Sequence, residues 1–188
     1  MSSDSVFWRE RLLEELERYQ PADERERAMV ASLRAFVAAE PACFERSHPS
    51  GHVTASAWVV DRARRVALLT HHRKLDRWLQ LGGHADGEGD LRSVALREAR
   101  EESGLEAFEF ALREIYDVDV HEIPARGDEP AHLHYDVRFA LYARDETPRA
   151  SAESFAVAWV PLAGLAALGA DASVRRLAAK TVGLGDAG

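Results

Sequence analysis

Apolar and polar residues alternate along this chain in two rhythms. Between residues 5 and 39 apolar side chains recur at three- and four-residue intervals, the spacing that lines one face of a helix. Val6, Leu12, Leu13 and Leu16, with Phe7 and Trp8 near the start, predict a first helix over residues 5–19, which Pro21 interrupts. Met29, Leu33, Phe36 and Val37 stripe a second over about 23–39, ending before Pro41. From residue 53 onward the interval shortens to two. Residues 53–60 and 65–70 predict two strands around a turn near 61–64, and 108–120, with Ile115, Tyr116, Val118 and Val120, reads mainly as strand. Residues 124–130 form a turn or loop. Residues 132–142 then alternate, with Leu133, Tyr135, Val137, Phe139 and Leu141 on one face and His134, Asp136, Arg138 and Ala140 on the other. The strands on either side of that loop are expected to pair antiparallel. A last short strand over 156–160, a helix opening at 161–165 and a closing helix over 174–182 complete the reading.

The chain has 188 residues, enough for one domain with an extension. The expected division is a helical extension over 1–46, a core domain over 47–182 and a flexible tail over 183–188. Charge is −8, from 24 basic and 32 acidic residues, which argues against general nucleic-acid binding through phosphate neutralisation. A single cysteine, Cys43, excludes an internal disulfide and reads as a buried small side chain. Neither a signal peptide nor an apolar run of about 20 residues is present, so a cytoplasmic protein without a membrane partner is expected. The two N-terminal helices are expected to pack on the core, with homodimerisation or capping of the active site as the alternative.

Residues 83–105, G-H-A-D-G-E-G-D-L-R-S-V-A-L-R-E-A-R-E-E-S-G-L, read as a glycine-rich turn followed by a helix that Gly104 terminates. At about 100° per residue, Glu102 and Glu101 lie about 40° and 60° to either side of Glu98, so three carboxylates share one face. Two like charges at i,i+4 and two anions in the last turn each cost about 0.3–1 kcal/mol. Arg97 offsets part of that cost as an ordinary surface salt bridge to Glu101. A divalent cation would remove both penalties, since Mg²⁺ or Mn²⁺ prefers oxygen ligands. His71-His72-Arg73-Lys74 makes a compact basic cluster whose Arg73 and Lys74 suit phosphate oxygens.

This stretch resembles the Nudix box, G-x5-E-x7-R-E-U-x-E-E-x-G-U with U aliphatic. Gly83, Arg97-Glu98, Ala99, Glu101-Glu102, Gly104 and Leu105 match it. The lone glutamate of the pattern falls on Gly89, between Glu88 and Asp90, and Leu81-Gly82-Gly83 replaces the Pro-Gly-Gly of many members.

The resemblance implies an α/β/α Nudix sandwich with a mixed sheet, and a metal-dependent hydrolase of diphosphate linkages. Its substrate would be a nucleotide sugar, a dinucleotide or a nucleoside triphosphate. It implies Mg²⁺ or Mn²⁺ held by Glu98, Glu101, Glu102 and the Gly82 carbonyl. Glu98 would also be a candidate base, Arg97 would orient the acids, and Glu153 is the first catalytic candidate outside the box, with Glu122 and Glu129 behind it. Arg73, Lys74, His84 and His134 are assigned to substrate contact, and His121, His132 and His134 are weighed as a second metal set against a plain polar strand face. Two rivals share the fold: a catalytically silent nucleotide-binding regulatory module, and an isopentenyl diphosphate-type isomerase, for which Cys43 is poorly placed.

Overall fold

Asp23 starts the second helix in the way the sequence requires, its carboxylate accepting from the Glu26 amide at 2.8 Å. The helices are α1 (Ser3–Arg18) and α2 (Glu24–Ala39). The structure, a computed structural model, describes residues 3–73, 75–128, 130–143, 147–152 and 154–184. Lys74, Glu129 and Glu153, assigned above from the sequence, lie outside the described residues.

The strands are β1 (Gly51–Val60), β2 (Val66–His72), β3 (Arg77–Leu79), β4 (Leu81–His84), β5 (Phe108–Phe110), β6 (Asp117–Ile123), β7 (His132–Ala143) and β8 (Ser154–Pro161). Helix α3 (Leu91–Ser103) separates β4 from β5, a short 3-10 turn covers Leu162–Gly164, and α4 (Ala172–Thr181) closes the chain. The eight strands form one sheet in the order β3-β2-β1-β7-β5, with β4 on β1, β6 on β7 and β8 on β2. The fold is thus of the expected α/β class, with helices and a mixed sheet. No helix among the described residues is long and apolar enough to cross a membrane.

Three sequence expectations shift. Gly82 and Gly83 belong to a strand, and the turn comes later, where Asp86 and Gly87 take φ of 49° and 85°. The single strand expected over 108–120 is two, β5 and β6, both antiparallel to β7; Ile115 and Tyr116 are buried between them without strand pairing. The opening at 161–165 is a 3-10 turn rather than a helix.

The chain clusters into two compact units. One comprises Met1–Ala55, Gly83–Val94 and Glu114–Arg138. There α2 packs on β6, with Phe36 stacked on Tyr135 at 4.2 Å, and Arg92 pairs with Glu15 of α1 at 2.7 Å. Antiparallel β6 and β7 set His121 opposite His134. The other comprises Ser56–Gly82, Ala95–Arg113 and Phe139–Gly188. Its β8 runs along the length of β2, and Trp58, fully buried, donates its indole N–H to the Thr181 hydroxyl of α4 at 2.8 Å.

Candidate functional site

Helix α3 is fixed at both ends by its own sequence. Asp90 caps the start, accepting from the amides of Arg92 at 3.2 Å and Ser93 at 3.4 Å and from the Ser93 hydroxyl at 2.9 Å. Gly104, with φ of 66°, ends it in the left-handed conformation that glycine adopts at little cost. Leu91, Val94, Ala95 and Ala99 form the buried stripe, and Glu102 extends the same line.

That register grades the three acids by exposure. Glu102 is buried, the side chain of Glu98 is 14% exposed and that of Glu101 is 62% exposed. A buried carboxylate costs several kcal/mol unless it is paired or hydrogen-bonded, and here the Gly82 amide donates to Glu102 Oε2 at 3.0 Å. Gly82 is itself dictated by packing: a Cβ there would lie 2.3 Å from Ser56 Oγ and 2.8 Å from its Cα. Arg97 serves the other two acids, its Nη1 lying 2.5 Å from Glu98 Oε1 and 3.6 Å from Glu101 Oε2.

The three acids share one side of the helix but do not meet at one point. Among the described residues no set of three carboxylates brings ligand atoms within 4.8 Å of one another. Like charges separate, Glu102 towards the Gly82 amide and Glu98 and Glu101 towards the shared Arg97 guanidinium. In donor chemistry the set fits Mg²⁺ or Mn²⁺, since three carboxylates and a strand carbonyl are all hard oxygen ligands. Glu101, the most exposed, is the side chain with room to swing inward.

Arg73, the other basic candidate in this unit, is held by β8. Its Nη2 donates to the Ser154 carbonyl at 3.1 Å, and its guanidinium lies 4.7 Å from the Phe155 ring centroid. His71 stacks on Trp78 at 5.1 Å and bonds Asp76 at 2.9 Å. Cys43 is fully buried, and burial pushes its thiol up to about 11. That is a poor nucleophile.

Gly89, where the box lacks its first glutamate, sits against Trp8 of α1. A Cβ there would lie 2.4 Å from Trp8 Cβ and 2.5 Å from its Cγ. The neighbouring Asp90 is occupied as a helix cap.

Sequence reasoning set His84 and His134 beside the substrate. The structure gathers these two with His52, His121 and His132 in one unit. The His52 ring lies 4.7 Å from His134, 5.0 Å from His84 and 5.2 Å from His132; His121 is 5.5 Å from His134. The polar face of β7 is not a solvated one. His132, Asp136 and Arg138 are buried.

Both ring nitrogens of His52 and Nε2 of His134 are buried without a hydrogen-bond partner, at a cost of about 1–3 kcal/mol each. Burial first, then neighbouring His84, His132 and Arg46, lowers His52 to about 4 against the pull of Asp86. Burial and the surrounding histidines lower His134 to about 2.

Sequence reasoning missed His52 altogether. The available signal was its phase: His52 and Thr54 alternate on β1 as His134 and Asp136 do on β7. Thr54 Oγ1 donates to Asp136 Oδ1 at 3.0 Å, so the two polar rows run in step.

A family model described as the NUDIX domain matches residues 51–180. No curated protein matches the chain significantly. Among solved structures, a MutT NUDIX hydrolase from Burkholderia pseudomallei is 19% identical with a TM-score of 0.55, over 70% of this chain and 98% of its own. The dihydroneopterin triphosphate pyrophosphohydrolase of E. coli is 18% identical with a TM-score of 0.54, over 67% and 91%. The NUDIX domain of Shewanella oneidensis NrtR, complexed with ADP ribose, is 16% identical with a TM-score of 0.52, over 70% and 86%. At these identities the likeness is one of fold. The matched family model spans most of the chain and contains the acid-bearing helix, and this chain belongs to the NUDIX family.

Proposed function

We propose that the protein hydrolyses the diphosphate linkage of a nucleoside diphosphate joined to a further group, as in a nucleotide sugar, a dinucleotide or a nucleoside triphosphate. The observation that carries this reading is the graded acid row of α3: Glu102 buried and oriented by the Gly82 amide, Glu98 and Glu101 held by one arginine. Two of the structural neighbours are described by ligands of this chemistry, a triphosphate and ADP ribose.

When bound, Mg²⁺ or Mn²⁺ supplies charge neutralisation for the diphosphate and acidifies an attacking water. Glu98, Glu101, Glu102 and the Gly82 carbonyl would hold it. Glu98, whose side chain is 14% exposed and held by Arg97, is the candidate base that would take the proton of the water. Arg97 keeps Glu98 and Glu101 from rotating apart. Arg73 is the cation of this unit that would meet the non-bridging phosphate oxygens, leaving the Ser154 carbonyl to do so. Glu153 remains the candidate base outside the box.

The test is a screen of nucleotide sugars, dinucleoside polyphosphates and nucleoside triphosphates with Mg²⁺ or Mn²⁺, run on the wild type and on Glu101→Gln and Glu102→Gln. Turnover that needs the metal and disappears in both variants supports the reading. Unchanged turnover in both would end it, and tight nucleotide binding with no turnover at saturating metal identifies a silent regulatory module instead.

A further inference from the structure

The buried histidines of the first unit are arranged as ligands rather than as a hydrogen-bonded core. We propose that His52, His132 and His134 bind a divalent transition-metal ion of the nitrogen-loving class, Zn²⁺ or its surrogates Co²⁺ and Ni²⁺. This site goes beyond the carboxylate site of α3 and does not depend on it.

Three observations carry the inference. First, each of the three histidines offers a ring nitrogen, and those atoms all lie within 4.8 Å of one another, the only such triad among the described residues. Zn²⁺ accepts imidazole nitrogens at about 2.0–2.1 Å and is commonly held by three protein ligands with a fourth position left for water.

Second, the backbone is built to bring these rings together. Leu133 donates its amide to the Ser50 carbonyl at 3.1 Å, and a Cβ on Gly51, whose φ is 144°, would lie 2.3 Å from the Leu133 carbonyl oxygen. Only glycine permits that approach, which delivers His52 from β1 onto His132 and His134 of β7. Third, His52, 1% exposed, has neither ring nitrogen satisfied, and His134 Nε2 is in the same state. A coordinated ion would satisfy one nitrogen of each.

The surroundings suit a cation. His132 Nδ1 lies 2.9 Å from the Pro130 carbonyl; a carbonyl only accepts, so Nδ1 carries the proton and the tautomer places the lone pair on Nε2. Behind His134 on the same strand face, Asp117, Asp119 and Asp136 surround the single guanidinium of Arg138 at 3.1, 3.5 and 2.7 Å. Three carboxylates against one arginine leave two formal negative charges beside the histidines, the complement of a divalent ion. His132 also lines a cavity of about 710 Å³ together with Arg46, His48, Asp86 and Pro130, which gives an ion a path inward.

The experiment uses the full chain, stripped with a chelator and titrated with Co²⁺ in excess Mg²⁺, so that oxygen sites are already filled. The proposal expects one Co²⁺ per chain with the intense visible absorption of a four- or five-coordinate nitrogen site, displaced by Zn²⁺. It expects that spectrum to persist in His71→Gln and in Glu101→Gln. In His52→Gln and His134→Gln the affinity should fall by about 100-fold or more. A wild-type chain that takes up no Co²⁺ with that spectrum overturns the proposal without any variant, which covers the case of a variant that fails to fold. An unchanged spectrum in a folded His52→Gln/His134→Gln double variant overturns it equally. None of these readouts involves turnover, so failure here is distinguishable from failure of the hydrolase reading.

Discussion

The acids of α3 and the histidines of the first unit are both concentrations of metal-ligating groups, and they are kept in opposite states. Each acid already has a hydrogen-bond or ion-pair partner: Glu102 the Gly82 amide, Glu98 and Glu101 the Arg97 guanidinium. Two of the histidines have buried nitrogens with none. The difference follows from burial and charge. A carboxylate at neutral pH must be compensated wherever it is partly buried, whereas an imidazole can stay neutral and wait for an ion. On the two proposals, one cluster would exchange its partners for metal and substrate during turnover, and the other would keep the ion it binds.

Neutralising one acid without moving it should separate the two clusters most strongly. Glu102→Gln retains an oxygen that can accept from the Gly82 amide, so the fold should survive while the charge is lost. Metal-dependent kcat/KM should drop by about 10³-fold, with Co²⁺ uptake by the histidines untouched. Equal turnover in the variant and the wild type would show that the buried end of the row is structural only.

Charge removed from the first unit should instead be felt in stability. Burial by itself would lower the pKa of the Arg138 guanidinium, but Asp136, Asp119 and Asp117 outweigh that and raise it. Arg138→Met would strand three buried carboxylates at a cost of about 3–5 kcal/mol, read as a lower urea midpoint. Arg97→Met, by contrast, removes a side chain that is 41% exposed and should cost no more than about 1 kcal/mol of stability while impairing turnover. If the two substitutions destabilise the chain equally, the contrast between the clusters fails.

Acid should discriminate further in the metal-stripped chain. His52 and His134 have folded values below the ordinary 6.5, at about 4 and about 2. The unfolded chain therefore binds protons first as pH falls, so the stability these groups allow is complete above about 6.5 and is lost progressively down to about 4 for His52 and about 2 for His134. The groups facing them are His84, His121, His132, Arg46 and Asp86, and of these only Asp86 opposes the trend. A fall in melting temperature of several degrees between pH 7 and pH 5, reduced in His52→Gln, is expected. A flat profile over that interval would mean the rings are less desolvated than their packing indicates.

How far each cluster could be read from the sequence follows from how it is assembled. The acid row lies within five residues of one helix, so a 3.6-residue period is enough to put its members on one side; what the period could not supply was the burial gradient, which depends on where β4 lies. The histidines come from β1, β4, β6 and β7, and only pairing and register bring them together. His121, His132 and His134 were visible as a group because they fall within fourteen residues of one another. His52 stands eighty residues earlier than His132, and its role rests on a close approach at Gly51. The alternation of β7 was legible, but its polar face looked like a surface because period two does not distinguish a solvated face from a buried one.

The box itself is divided along the same line, and its one departure falls in the first unit. Gly89 stands where the family pattern has glutamate, and the physical reason is Trp8: a Cβ at 89 would penetrate the Trp8 Cβ and indole by more than an ångström relative to ordinary contact. Gly89 has no positive φ, so the constraint is contact alone. Gly89→Ala should therefore cost about 1–3 kcal/mol by overpacking. Trp8→Gly, which removes the offending Cβ, should cost stability through lost burial and helix propensity. Because the two residues touch, the double variant should be less destabilised than the sum of the singles, by about 1 kcal/mol or more, in a urea-denaturation cycle. Strict additivity would mean that α1 does not press on Gly89 in solution, and the missing glutamate would then have to be explained by the chemistry of the site rather than by the helix packed against it.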